Sequence, residues 1–72
     1  MFQLTAVCFD AEYAYAEAES FKYALEQLLE ECQHMADIYP VECAELLVLH
    51  PNGVSVTAPM SGFINPRSLQ LI

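Results

Sequence analysis

The side chains most able to carry out chemistry in this 72-residue chain are three cysteines and two histidines. Four of them, Cys32, His34, Cys43 and His50, are potential zinc ligands. Structural zinc sites place their ligands in close pairs such as C-x2-C or H-x3-5-H, and the C-x-H…C-x6-H spacing here is neither. We therefore expect no bound metal, and no motif in the chain predicts another cofactor.

Nucleophilic and acid–base catalysis are also poorly supported. A reactive cysteine needs a base or other positive group nearby that favours the thiolate, and none of the three has one. Glu30 and Glu31 are adjacent, and adjacent residues of a helix point in different directions. There is no glycine-rich phosphate loop, since the chain holds only two glycines. We expect a protein that is not an enzyme.

The carboxylates are the feature that exceeds expectation. All ten acids fall between Asp10 and Glu45, against the single base Lys22, so this segment carries a formal charge of −9. Residues 46–72 hold no acid and one base, Arg67, which gives the net charge of −8. Such a field repels nucleic acid and anionic lipid and attracts basic surfaces. We expect no direct contact with nucleic acid or membrane.

Tyrosines are interleaved with these acids. An aromatic side chain rimmed by charge is suited to anchor and steer a protein partner. Acids that merely keep an apolar chain in solution would give the same composition, and the sequence leaves that alternative open. If the face is functional, the predicted contact residues are Tyr13, Tyr15, Glu26, Glu30, Glu31 and Asp37.

The partner expected from this charge is a protein with a basic surface, often one built to hold DNA or RNA. Small acidic proteins encoded by phages and mobile elements that inhibit host nucleases or CRISPR complexes have this size and charge. The similarity is one of composition alone, because no motif here identifies a family. The hypothesis is therefore a small acidic binding protein, which in that setting would mimic DNA.

Local patterns predict the elements that position these residues. Phe2, Leu4, Ala6 and Cys8 alternate with Gln3, Thr5 and Val7, as in a strand with one buried face. Residues 20–37 show the apolar spacing of an amphipathic helix that Ser20 caps and that must end near Tyr39, before Pro40. Residues 46–49 and 54–57 flank His50-Pro51-Asn52-Gly53, which predicts a hairpin. Leu69 and Leu71 would share one face of a short last strand at 68–72.

Residues 10–19 are ambiguous. Their alanines would suit a backward extension of the helix, but a helix from 10 to 37 would be about 42 Å long, too long for so small a domain. We favour a strand at 13–18 with Ala14, Ala16 and Ala18 toward the helix. Tyr13, Tyr15 and Glu17 would then face outward.

These elements predict an α+β domain spanning residues 1–72, with one helix on a mostly antiparallel sheet of three or four strands. The order is ββαββ, as in β-grasp-like domains, or βαββ if residues 10–19 are helical. The cysteines are odd in number, and the first residues lack the basic region of a signal peptide. We therefore expect free thiols and a cytoplasmic protein.

The apolar excess suggests a second surface. Hydrophobic residues make up 56% of the chain, more than so small an interior can bury. We therefore expect a homodimer or an obligate complex, with a structural or regulatory homo-oligomer as the alternative function. The dimer face would be the apolar hairpin strand 46–49 or the C-terminal segment 69–72. The residues predicted to form it are Leu46, Val48, Leu69 and Leu71.

Overall fold

The fold is one helix packed on one face of a four-stranded antiparallel sheet. The computed structural model describes residues 1–72. Its elements are β1 (Phe2–Cys8), β2 (Ala11–Ala18), α1 (Phe21–His34), β3 (Ala44–Leu49) and β4 (Ser55–Pro59), with 3-10 turns η1 (Val41–Cys43) and η2 (Met60–Gly62). The sheet order is β2-β1-β3-β4 and all pairs are antiparallel. The predicted α+β class and the ββαββ order are confirmed.

The ambiguous segment is a strand, as favoured, and it is longer than predicted. β2 pairs with β1 from Phe2 opposite Ala18 to Cys8 opposite Ala11. Phe9 and Asp10 make the connecting turn, and both have positive φ, at 53° and 63°. Two successive left-handed residues fit the right-handed twist of a tight hairpin, but side chains other than Gly, Asn and Asp are strained there. Phe9 thus holds an unfavourable backbone conformation while 70% exposed.

Replacing Phe9 by asparagine should therefore stabilise the protein. Asn adopts the left-handed region more readily than Phe, and the ring gives up little burial, so Phe9→Asn should raise the free energy of unfolding by about 1 kcal/mol. Urea denaturation followed by circular dichroism measures this. Gln3→Asn, a matched change within β1, should lower the stability instead. A loss of stability in Phe9→Asn would contradict the strain at this turn.

The helix begins where predicted and ends three residues earlier. The Ser20 hydroxyl accepts a hydrogen bond from the Tyr23 backbone N–H at 3.1 Å, which satisfies a donor of the first turn. At the other end the backbone N–H groups of Ile38 and Tyr39 both bond the Met35 carbonyl. This turn folds the chain back before Pro40, so the expected extension to Asp37 is wrong.

The core lies between α1 and the first two strands. Leu25, Leu28 and Cys32 of the helix are buried over Ala14 and Ala16 of β2. The small alanine side chains let the helix backbone approach the sheet closely. The C-terminal half of the chain covers the rest, because η2, with the buried Met60, packs on β3 and η1, with the buried Val41, packs on η2.

The predicted dimer face is wrong for β3. Leu46 is 0% exposed and Val48 is 5% exposed, and both point into the core. β3 is central, as predicted, and apolar on both faces. Its alternation alone could not tell which face the helix layer would cover. Leu47, on the opposite face, is 37% exposed.

The C-terminal segment is also not a free apolar strand. Only an isolated bridge joins Ile64 to Leu71, and Leu69 has φ of 55°, which breaks the alternation of a strand. Leu69 and Leu71 are half-buried against the core. The Gln33 side chain donates a hydrogen bond to the Leu69 carbonyl at 2.7 Å and ties the segment to the helix. Both leucines are only partly exposed, and their role in a dimer face stays a prediction.

Truncation of Leu46 should show its core role directly. Leu46→Ala leaves a cavity in the core on the inner face of β3 and should lower the free energy of unfolding by about 2–5 kcal/mol. Leu47→Ala, one residue along on the exposed face, should lower it by less than about 1 kcal/mol. Chemical denaturation of the two variants checks the difference. Equal losses would contradict the assignment of the two faces.

Candidate protein-binding surface

The side chain that organises the acidic surface is Tyr15, on the outer edge of the sheet. β2 is an edge strand, and the backbone N–H of Tyr15 is one of those that point away from β1. Glu31 reaches across from α1, and its carboxylate accepts that N–H at 3.0 Å. The Tyr15 hydroxyl donates a hydrogen bond to the Glu17 carboxylate, also at 3.0 Å. Two carboxylates therefore fix both ends of a residue that is 49% exposed.

Glu12 completes this group at the mouth of an open cleft. The cleft has a volume of about 660 Å³ and is lined by Thr5, Glu12, Tyr13, Ala14, Tyr15 and Glu31. We call Glu12, Tyr15, Glu17 and Glu31 the acidic edge. Desolvation, the hydrogen bond to Glu17 and the charge of that carboxylate all raise the pKa of Tyr15. The hydroxyl thus stays a neutral donor at physiological pH.

A second acidic group lies on the outer surface of the helix. Tyr23, Glu26, Gln27 and Glu30 line a shallow depression, and Tyr23 is 64% exposed. We call these four residues the helix patch. Gln27 and Glu31 are four residues apart and are therefore neighbours on the helix surface. This row links the helix patch to the acidic edge and makes one continuous negative surface.

The structure places the six predicted contact residues in different settings. Tyr15 and Glu31 meet in the acidic edge, and Glu26 and Glu30 meet in the helix patch. Asp37 is exposed in the turn after the helix and lines neither depression.

Tyr13 does not face outward as expected. A β-bulge lies opposite Ala6 and Val7, and Tyr13 is the extra residue of β2. The bulge breaks the alternation and turns Tyr13 toward the helix. Its ring stacks on Tyr39 at 4.6 Å, and its hydroxyl lies 3.7 Å from the Cys32 sulfur. Burial, and then the hydrogen bond with Cys32, raise the pKa of Tyr13. Tyr13 therefore supports the core beneath the acidic edge.

Glu12, Glu17 and Tyr23 belong to this surface but were not among the predicted contact residues. Glu17 was expected to face outward, and its strand position would have been enough to include it. Phe9 is another exposed aromatic residue, at the tip of the β1–β2 turn. Strained residues of this kind are often found where a protein binds a partner. The sequence pattern could not reveal it, because Phe9 simply follows an apolar strand.

The three thiols differ in their exposure. Cys8 and Cys32 are buried, and Cys43 is exposed. Burial raises the pKa of the Cys8 thiol, and the nearby Cys43 raises it further. Burial also raises the pKa of Cys32, against a smaller lowering by the Tyr13 hydroxyl. Both buried thiols are therefore held protonated. No three His, Cys, Asp or Glu side chains lie close enough together to hold a metal ion.

Thiol labelling tests this arrangement. Cys43 alone should react with Ellman's reagent in the folded protein, because attack needs an accessible thiolate. All three cysteines should react in guanidinium chloride. Cys43→Ser should abolish the reaction of the folded protein, while Cys8→Ser should leave it unchanged. Rapid reaction of Cys8 or Cys32 in the folded protein would contradict their burial.

Searches against protein-family models, curated proteins and solved structures find no match for this chain. No helix is long and apolar enough to cross a membrane. The surface described above is defined by two exposed tyrosines, Tyr15 and Tyr23, that lie among carboxylates. All ten acids are exposed, and their side-chain hydrogen bonds go to Tyr15 alone.

Proposed function

We propose that this chain is a non-enzymatic binding protein that docks its acidic edge on a basic surface of another protein. The observation that carries the proposal is the fixed position of Tyr15 between the Glu17 and Glu31 carboxylates. A side chain that is already ordered loses little entropy when it is bound. The acidic edge is therefore pre-organised for a partner.

Arginine is the side chain that best fits this arrangement. A guanidinium group stacks on an aromatic face and forms paired hydrogen bonds with a carboxylate. Tyr15 offers a half-exposed ring, and its two bonded glutamates keep free acceptor positions, since each carboxylate oxygen carries more than one. Lysine would satisfy only the charge. The proposed partner surface is therefore rich in arginine.

The remaining acids act at longer range. With a net charge of −8, the chain attracts a basic partner before contact and accelerates association. The helix patch extends the same field around the acidic edge, so a groove on the partner meets negative charge on both sides. Asp37 lines neither depression, so it would contribute to binding only through this long-range attraction.

Proteins that hold DNA or RNA present such arginine-rich grooves. A chain that occupies the groove excludes the nucleic acid, so we propose inhibition by competition as the mode of action. Inhibition of a host nuclease or a CRISPR-type complex by a phage or mobile element is the biological setting that this size and charge favour. The chain would then act as a mimic of DNA without touching DNA itself.

The first test uses a fluorescent nona-arginine peptide as the probe. The triple variant Glu12→Gln, Glu17→Gln and Glu31→Gln should bind it about tenfold more weakly, because exposed ion pairs contribute about 0.5 kcal/mol each. The matched control Glu19→Gln, Glu42→Gln and Glu45→Gln removes the same charge elsewhere. It should weaken binding no more than about threefold. Fluorescence anisotropy at low salt measures both.

Equal losses in the two triple variants would contradict a defined site and leave only net charge. Two substitutions of Tyr15 separate the contribution of its ring to the affinity from that of its hydroxyl. Tyr15→Phe should keep most of the affinity, and Tyr15→Ala should lose more, since the ring is the surface on which arginine stacks. Nona-lysine should bind more weakly than nona-arginine. Circular dichroism confirms that each variant keeps its helix.

A further inference from the structure

The two edges of the sheet differ in how well they could pair with a further strand. At the β2 edge a bulge interrupts the pairing and the Glu31 carboxylate blocks the Tyr15 N–H. Such features keep an edge from pairing with another strand. The β4 edge, Ser55–Pro59, has no bulge and no charged residue. Only Pro59, at its end, limits pairing.

The free backbone groups of β4 can be identified. The His50 N–H bonds the Val54 carbonyl at 2.8 Å, so Val54 directs its backbone toward β3. Alternation then directs Val56 and Ala58 inward to β3 and leaves the N–H and C=O groups of Ser55 and Thr57 pointing outward. These outward groups form a short, unpaired hydrogen-bonding row.

An apolar groove lies beside this row, on the helix side of the sheet. Its volume is about 340 Å³, and six of its seven lining residues are hydrophobic, the exception being His50. Phe63 contacts Phe21, Phe21 contacts Phe2, and Phe2 contacts His50, with ring centroids 5.4–5.9 Å apart. Val56 and Ala58 form the side of the groove next to the edge. Val56 is 45% exposed, so its side chain is open to a partner at this edge.

We infer that β4 is the interface of a homodimer, in which the β4 strands of two copies pair antiparallel across a two-fold axis. Charge selects the face through which two copies can meet. Two copies that each carry −8 repel one another least when they approach through residues 46–72, which hold no acid. β4 lies wholly inside that part of the chain. A second copy therefore meets its own neutral edge there.

The pairing register follows from the outward groups. Ser55 of one copy pairs with Thr57 of the second copy, and Thr57 pairs with its Ser55, which forms four backbone hydrogen bonds. Val56 then faces Val56 of the second copy on the groove side, in a non-hydrogen-bonded pair where side chains approach most closely. The result is one eight-stranded sheet with the two acidic edges at its far ends. This interface is independent of the proposed docking function.

Light scattering with size-exclusion chromatography tests the inference. The wild-type chain should have twice the 8.1 kDa mass of one copy at hundred-micromolar concentration and dissociate on dilution. Val56→Lys places two ammonium groups against each other and should raise the dimer Kd about a hundredfold. Leu47→Lys, at an exposed apolar position on the opposite face, should leave the Kd within about threefold. A wild-type monomer, or a Val56→Lys dimer, would overturn the inference.

Hydrogen exchange gives a measurement on the unaltered protein, in case Val56→Lys fails to fold. The Ser55 and Thr57 amides should become protected as concentration rises, while the other outward amides of the chain do not change. Concentration-independent exchange of these two amides would equally overturn the inference.

The dependence of affinity on salt distinguishes the proposed dimer from the proposed complex with a basic partner. Raising NaCl from about 50 to about 500 mM should tighten the dimer about threefold, because screening weakens the repulsion between the two copies. The same change should weaken the arginine peptide complex. A dimer without peptide binding, or peptide binding without a dimer, would therefore reject one proposal and leave the other standing. A dimer that weakens with salt would contradict pairing through the acid-free edge.

Discussion

The packing of a single 14-residue helix against β1 and β2 is the constraint on which the structure depends. At 1.5 Å per residue this helix is about 21 Å long and only about 10 Å wide, so it covers two of four strands. Leu28 and Cys32 fit closely over Ala14 and Ala16 because the alanines leave room for them. The acids of α1 are then forced to the outer surface and to the β2 edge. The other half of the sheet is covered only by η1, η2 and the C-terminal segment, and the apolar groove is the space they leave.

The helix position also explains how the two surfaces come to lie at opposite ends of the sheet. Glu31 stands at the border of the helix nearest β2, within reach of the Tyr15 N–H. β4 is separated from β2 by two strands and carries no charge. The segregation of acids along the chain therefore becomes a segregation in space. One edge is suited to a basic partner and the other to a neutral strand.

Sequence periodicity predicted the helix and strands well. It predicted which side chains face the core for some strands and not for others. The hairpin at Gly53, the Ser20 cap and the buried face of β1 were all predictable, because each depends on local geometry. The orientation of Leu46 and Val48 was not, because a strand that is apolar on both faces carries no information about which face is covered. Tyr13 was misplaced for another reason. A bulge depends on the pairing of two strands, and the residues of one strand alone do not reveal it.

We propose that a basic partner binds at the acidic edge, with Tyr15 at its centre. A titration of the ¹⁵N-labelled protein with nona-arginine, followed by amide chemical shifts, tests it most directly. The Tyr15 amide reports on its hydrogen bond to Glu31, so we predict the largest shifts at Tyr15, Glu17 and Glu31 and none at Ser55 or Thr57. Small shifts spread evenly over all exposed acids, or a maximum on β4, would contradict the account.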